Sequence, residues 1–155
     1  MPAQNKTETI SAIDFQATKG RKPAAKKPGK RTVFPISGTG AVYELVYSGK
    51  GLSSNAWYAG MHWTKRQKLK DEWRSNFHPL IVAANMAGMQ AMSLALTYRS
   101  RFDADNTTAM IKLLVDQLKG WFIPDDTPAH FRGFSVEYDS SLPHNTFVFK
   151  ITELL

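Results

Sequence analysis

The sequence predicts an α+β single domain, a mixed β-sheet packed with two main helices. Two observations carry that prediction. Runs rich in β-branched, aromatic or alternating apolar residues occur at 32–36, 41–47, 89–99, 133–138 and 146–152. Between them lie two stretches, near 64–78 and 106–120, where apolar residues recur every three or four positions. The order is strand, strand, helix, strand, helix, strand, strand, with no internal repeat.

Each element has a local reason. Thr32-Val-Phe-Pro-Ile36 contains Pro35, which cannot donate to a ladder and so suits a sheet edge. Ala41–Tyr47 follows the turn Ser37-Gly-Thr-Gly40. The Gly/Ser-rich segment Ser48–Asn55 reads as a surface loop, the kind of segment that carries function. Thr64 is placed to cap a helix reaching about His78. Leu69, Trp73, Phe77, Leu80 and Ala84 make its apolar face, and Lys65, Arg66, Lys68, Lys70 and Arg74 cover the other. Pro79 should stop or kink it. In Met89–Arg99, Met92, Leu94, Leu96 and Tyr98 alternate with smaller residues. Asn106 or Thr107 can cap the second helix, whose stripe is Met110, Leu113, Leu114, Leu118 and Trp121, and Gly120 is placed to end it. Ile123–Asp126 is a loop, and Gly133–Tyr138 and Thr146–Thr152 are the last strands.

Charge is distributed unevenly along the 155 residues. The net charge is +7 and the pI about 9.7. Residues 1–31 hold eight Lys and Arg against two acidic residues, whereas 32–155 hold 12 basic and 11 acidic. Residues 1–31 therefore read as a disordered basic tail, either a solvated leader or an arm that touches nucleic-acid phosphates, ahead of a near-neutral domain at 32–155. The chain has no cysteine, which excludes a disulfide scaffold, a Cys-ligated metal and a thiol nucleophile. It shows no apolar signal core and no membrane-length apolar run, so a cytoplasmic protein without membrane association is expected.

The chemistry concentrates where a strand gives way to a helix, at Tyr98-Arg-Ser-Arg-Phe-Asp103-Ala-Asp105-Asn106. Residues two apart in an extended chain share a side, so Asp103 and Asp105 present two carboxylates together. Such a pair repels itself unless a cation sits between, and an all-oxygen set suits Mg²⁺ or Mn²⁺. The alternative is that these residues are ordinary helix caps. Asp125-Asp126 adds a second acidic pair on the return loop, which also has turn composition. Arg99, Arg101 and Lys112 are cations suited to a phosphate diester; Lys112 is alternatively a partner for Asp116 at i+4, and Asp116 is placed outside the acidic cluster. Trp57, Tyr58 and Trp63 interleave with His62, Lys65, Arg66 and Lys68, a pattern for stacking on bases or for a core beside a solvated face. The four histidines have no metal-ligand spacing, and no phosphate-cradling glycine motif, dinucleotide fingerprint or small-molecule cofactor motif is present.

Taken as an ordered set, Asp103-x-Asp105-Asn106, Lys112-x-x-x-Asp116-x-Leu118 and Asp125-Asp126, preceded by Ser54-Asn55-x-x-Tyr58 and a basic helix, resembles the RusA-type Holliday junction resolvases of bacteria and their phages. The resemblance covers about residues 50–152 and is sharpest at 99–126. It implies a Mg²⁺-dependent endodeoxyribonuclease (Mn²⁺ as a substitute) that works as a homodimer on four-way DNA junctions. Asp103, Asp105 and Asp126 correspond to the metal-binding, catalytic carboxylates and Lys112 to the catalytic lysine. The interval from Asn106 to Lys112 is about three residues longer than the family pattern, a rotation of roughly 300° on an α-helix. Asn55, Tyr58, Lys65, Arg66, Arg99 and Arg101 are the candidate DNA contacts. Two rivals share the same basic surface: a non-catalytic branched-DNA-binding protein of this fold, and a nuclease for other branched DNA.

Overall fold

Four strands, β1 (Val42–Ser48), β2 (Ala91–Arg99), β3 (Phe131–Tyr138) and β4 (Thr146–Leu154), form one sheet in the order β1-β4-β2-β3. The computed structural model describes residues 33–155, so the expected tail and Thr32 lie outside the described residues. β4 runs antiparallel to both β1 and β2, while β2 and β3 are parallel. A parallel pair needs a crossover, and the helix between β2 and β3 provides it. The chain is thus a single α+β domain with a mixed four-stranded sheet and two main helices.

The period of two places the core. Met92, Leu94, Leu96 and Tyr98 of β2 are buried, and Phe147, Phe149 and Ile151 of β4 lie beside them on the same face. Two long helices cover that face: α2 (Trp63–Ala84) and α3 (Thr108–Leu118), with a five-residue helix α1 (Ser54–Tyr58) ahead of them. Trp73 and Phe77 of α2 pack their rings on Tyr47 and Phe149, and the Gln117 amide of α3 donates to the Trp73 carbonyl at 3.3 Å. On the opposite face Val42 and Val46 are exposed and Glu44 stands in register with Lys150. Glu153, near the end of β4, is buried yet well solvated by the protein. It accepts from the Ser37 hydroxyl at 2.5 Å and from the backbone N–H groups of Gly38, Thr39, Gly40 and Ala41 at 2.9–3.3 Å.

The elements depart from the sequence reading in four places. Residues 33–36 form no strand and share only a bridge between Ile36 and Gly88. Phe34 is instead a core residue against Trp121 and Phe122, and its backbone passes so near Gly88 that a Cβ there would overlap the Phe34 carbonyl oxygen. Helix α2 runs through Pro79 to Ala84. Pro79 is exposed and forfeits only the bond to the Ser75 carbonyl, while Phe77 and Ile81 on the buried face hold the helix to the sheet. The α2 cap is His62, whose Nδ1 accepts from the Thr64 N–H, so Thr64 lies inside the helix. Helix α1 has no counterpart in the sequence pattern, because five residues carry no period. Among the described residues no helix is long and apolar enough to cross a membrane.

Candidate functional site

At the end of β2 the chain is held firmly before the acidic segment begins. The Tyr98 hydroxyl donates to the Phe102 carbonyl at 2.8 Å, and the Phe102 N–H donates to Ser100 Oγ at 3.0 Å. The loop before α1 closes over Phe102 because Gly51 has no side chain: a Cβ there would lie 2.6 Å from both the Phe102 and the Phe147 ring. Asp103 then starts a single 3-10 turn, Ala104–Thr107, which packs against α1 and β3.

The Asp103 and Asp105 side chains are exposed at this edge; Asp103 holds the N-cap position of the 3-10 turn, but neither side chain makes a capping hydrogen bond. Ser54 does that work from α1. Its buried Oγ accepts from the Ala109 N–H at 3.1 Å, bonds the Thr108 hydroxyl at 2.7 Å and donates to the Asn106 carbonyl at 3.1 Å. Among the described residues no hydrogen bond or ion pair engages either carboxylate. Burial pushes the Tyr98 phenol up, and the nearby Asp103, Tyr138 and Asp105 push it further, which places both carboxylates within electrostatic reach of one hydroxyl.

Helix α3 presents Thr108, Ile111, Lys112, Val115 and Asp116 to a cavity of about 260 Å³, closed by Tyr58, Asp126, Phe131 and Phe134. Lys112 faces it one α-helical turn beyond Thr108, on the helix face that also carries Val115 and Asp116. Asp116 lines the same cavity, one α-helical turn beyond Lys112 and on the same face, whereas Asp103 and Asp105 do not line it. Among the described residues Lys112 forms no ion pair, with Asp116 or otherwise.

The second acidic pair is engaged by Lys119, a residue absent from the sequence-based candidates. Its Nζ lies 2.9 Å from an oxygen of Asp125 and 2.9 Å from one of Asp126. Hydrogen bonds to Asp125 and then Asp126 hold the ammonium well above the lysine range, and Lys119 in turn holds the Asp125 carboxyl below the usual range. A lysine at a helix end, six and seven residues before the two members of an acidic pair, is the signal that could have found it. The three-aspartate set is not gathered: among the described residues no three His, Cys, Asp or Glu side chains are placed to hold a metal ion. Asp126 is instead held by Lys119 and faces the cavity beside α3. Asp103 and Asp105 are exposed carboxylates, the oxygen donors that Mg²⁺ takes alongside water and phosphate. Asp126 does not join them.

The candidate DNA contacts divide. Asn55, Lys65 and Arg101 are exposed, as is Tyr58. Arg66 donates to the Trp57 carbonyl at 3.2 Å and lies over the Trp57 ring at 5.2 Å, fastening α1 to α2. Arg99 donates to the Leu142 carbonyl at 2.9 Å, tying β2 to the β3–β4 loop. In comparisons with known proteins, neither a family model nor a curated protein matched the chain.

Proposed function

We propose that this chain is a Mg²⁺-dependent, structure-selective endodeoxyribonuclease of the RusA type, cutting DNA phosphodiesters at four-way junctions as a homodimer. One observation carries the reading: Asp103 and Asp105, two residues apart where β2 ends, are both exposed with side chains that form no hydrogen bond or ion pair, while Ser54 supplies the side-chain acceptor for the helix behind them. In this reading Asp103 and Asp105 hold the ion, which would supply an activated water and neutralise charge on the phosphate. Lys112 holds a diester oxygen beside the cavity, and Asp126 faces the same space. Asn55, Tyr58, Lys65 and Arg101 contact the strands. A four-way junction has approximate twofold symmetry, and a C2 dimer presents two sites related by that symmetry.

The test compares a synthetic four-way junction with a linear duplex, with Mg²⁺ or with EDTA. Paired cuts confined to the junction and to Mg²⁺ are expected. Asp103→Asn and Asp105→Asn should each lower cleavage about a thousandfold, equivalent to ~4 kcal/mol of lost stabilisation, while junction binding persists. Binding without cutting would make the protein a branched-DNA binder, and equal cutting of flaps or forks would make it a broader nuclease.

A further inference from the structure

We propose that the cavity between α1, α3 and β3 receives an unpaired nucleobase carrying an exocyclic amino group. The source of that base, a strand of branched DNA, rests on the nuclease reading above. The cavity itself stands on its own geometry.

Its walls are those of a stacking site. Ile111 and Val115, one turn apart and buried, form an apolar floor. Tyr58 and Phe134 flank it, and both are large aromatics left about half exposed or more, at 62% and 49%. Water-exposed rings lining one cavity gain most from a flat aromatic guest. The volume, about 260 Å³, falls below the usual range for drug-sized ligands and suits one planar ring system.

The polar groups select among such guests. The Thr108 hydroxyl is taken up by Ser54 and the Asp105 carbonyl. One Asp126 oxygen is bound to Lys119. Asp116 and Lys112 remain, facing the cavity from one helix face without pairing to each other. A carboxylate accepts from the amino group of cytosine, adenine or guanine. The sole ring N–H of thymine lies between two carbonyl oxygens, which repel an approaching carboxylate. Lys112 supplies a cation for the accompanying phosphate or for a base oxygen.

Position joins this cavity to the acidic edge. The 3-10 turn carrying Asp105 packs on α1 and β3, the two elements that contribute Tyr58 and Phe134. A base lodged here would leave its backbone near Asp103 and Asp105. Bases at a branch point are the least costly to extrude, so the cavity would favour branched over linear duplex DNA.

Two measurements on the intact chain, both in EDTA so that no cutting intervenes, test the proposal. Saturation-transfer NMR with dAMP, dCMP, dGMP and dTMP should show binding of the three amino-bearing nucleotides and roughly tenfold weaker binding of dTMP. Asp116→Asn should remove that discrimination, and Phe134→Ala should weaken all four about tenfold. Each variant's thermal midpoint is measured alongside, and both positions are exposed enough to keep the fold. A junction bearing 2-aminopurine at each branch-point position in turn should brighten on binding at one position, and less with Phe134→Ala. Equal binding of dTMP, or nucleotide binding unmoved by both variants, overturns the proposal. Nucleotide binding with no brightening overturns the branched-DNA source. Failure of the nuclease reading would show in the cleavage assay alone and leave the nucleotide result intact.

Discussion

Ser54→Ala tests the arrangement on which the acidic edge depends. The Ser54 hydroxyl is buried and joins α1 to the first turn of α3 through Ala109, Thr108 and Asn106. Loss of an N-cap costs about 1 kcal/mol, and a buried donor left without its acceptor costs about 1–3 kcal/mol. The two figures describe overlapping bonds and do not add, so the expected loss is about 2 kcal/mol. For a domain of this size that is a fall in Tm of roughly 8 °C. Thermal unfolding followed by circular dichroism reads it directly. Asp103→Asn and Asp105→Asn, made in parallel, should each stay within about 0.5 kcal/mol of the parent, because they cap nothing. An unchanged Tm for Ser54→Ala, or a destabilisation of about 1 kcal/mol or more for either aspartate variant, would return those carboxylates to the role of helix caps and remove the main support for the nuclease reading.

Glu153→Gln should cost about 2 kcal/mol at pH 7, since a charged acceptor of five hydrogen bonds becomes neutral. The Ser37 hydroxyl, opposed by burial and aided by the Ala41, Gly38 and Thr39 N–H groups, holds the Glu153 carboxyl below its ordinary value. Its stabilisation is therefore full above the ordinary glutamate pKa and fades as pH falls through the lowered one, and a urea series across roughly pH 2–5 should show a steeper slope in the parent than in the variant, where the lowered carboxyls of Asp125 and Asp139 still contribute. Pro79→Ala restores the donor to the Ser75 carbonyl and should stabilise by about 2 kcal/mol, seen as a higher urea midpoint with an unchanged m-value. Deleting residues 1–31 should flatten the salt dependence of DNA binding by about 0.9 in log–log slope for each phosphate the segment neutralises, and an unchanged slope would show that it neutralises none.

Periodicity made the sheet and helices legible. The alternation in Met92–Tyr98 and the stripe Met110–Leu118 each read directly onto a buried face. What escaped was chosen by tertiary packing. Pro79 reads locally as a stop, but Phe77 and Ile81 anchor both sides of it. Thr107 does hold the N-cap position of the second helix, but its hydroxyl turns back to the Ala104 carbonyl, and the side-chain acceptor for the first turn arrives from Ser54, more than fifty residues earlier. Asp103 and Asp105 read as an extended pair, but the chain turns into a 3-10 helix at Ala104, so the alternation that was to set them side by side does not apply. The partner of Asp126 was not visible, because Lys119 reaches it only after the chain turns at Gly120, which adopts a φ of +78°.

The crossing of Phe34 over Gly88 fixes where the described chain enters the body. That crossing lies just before β2 begins, and Asp103 lies just after it ends. The nine residues of β2 span about 30 Å, so the two points sit at opposite ends of the sheet. A fluorophore attached directly at Val33 would therefore stand clear of the acidic edge. A tether meant to reach that edge must be at least about ten extended residues long.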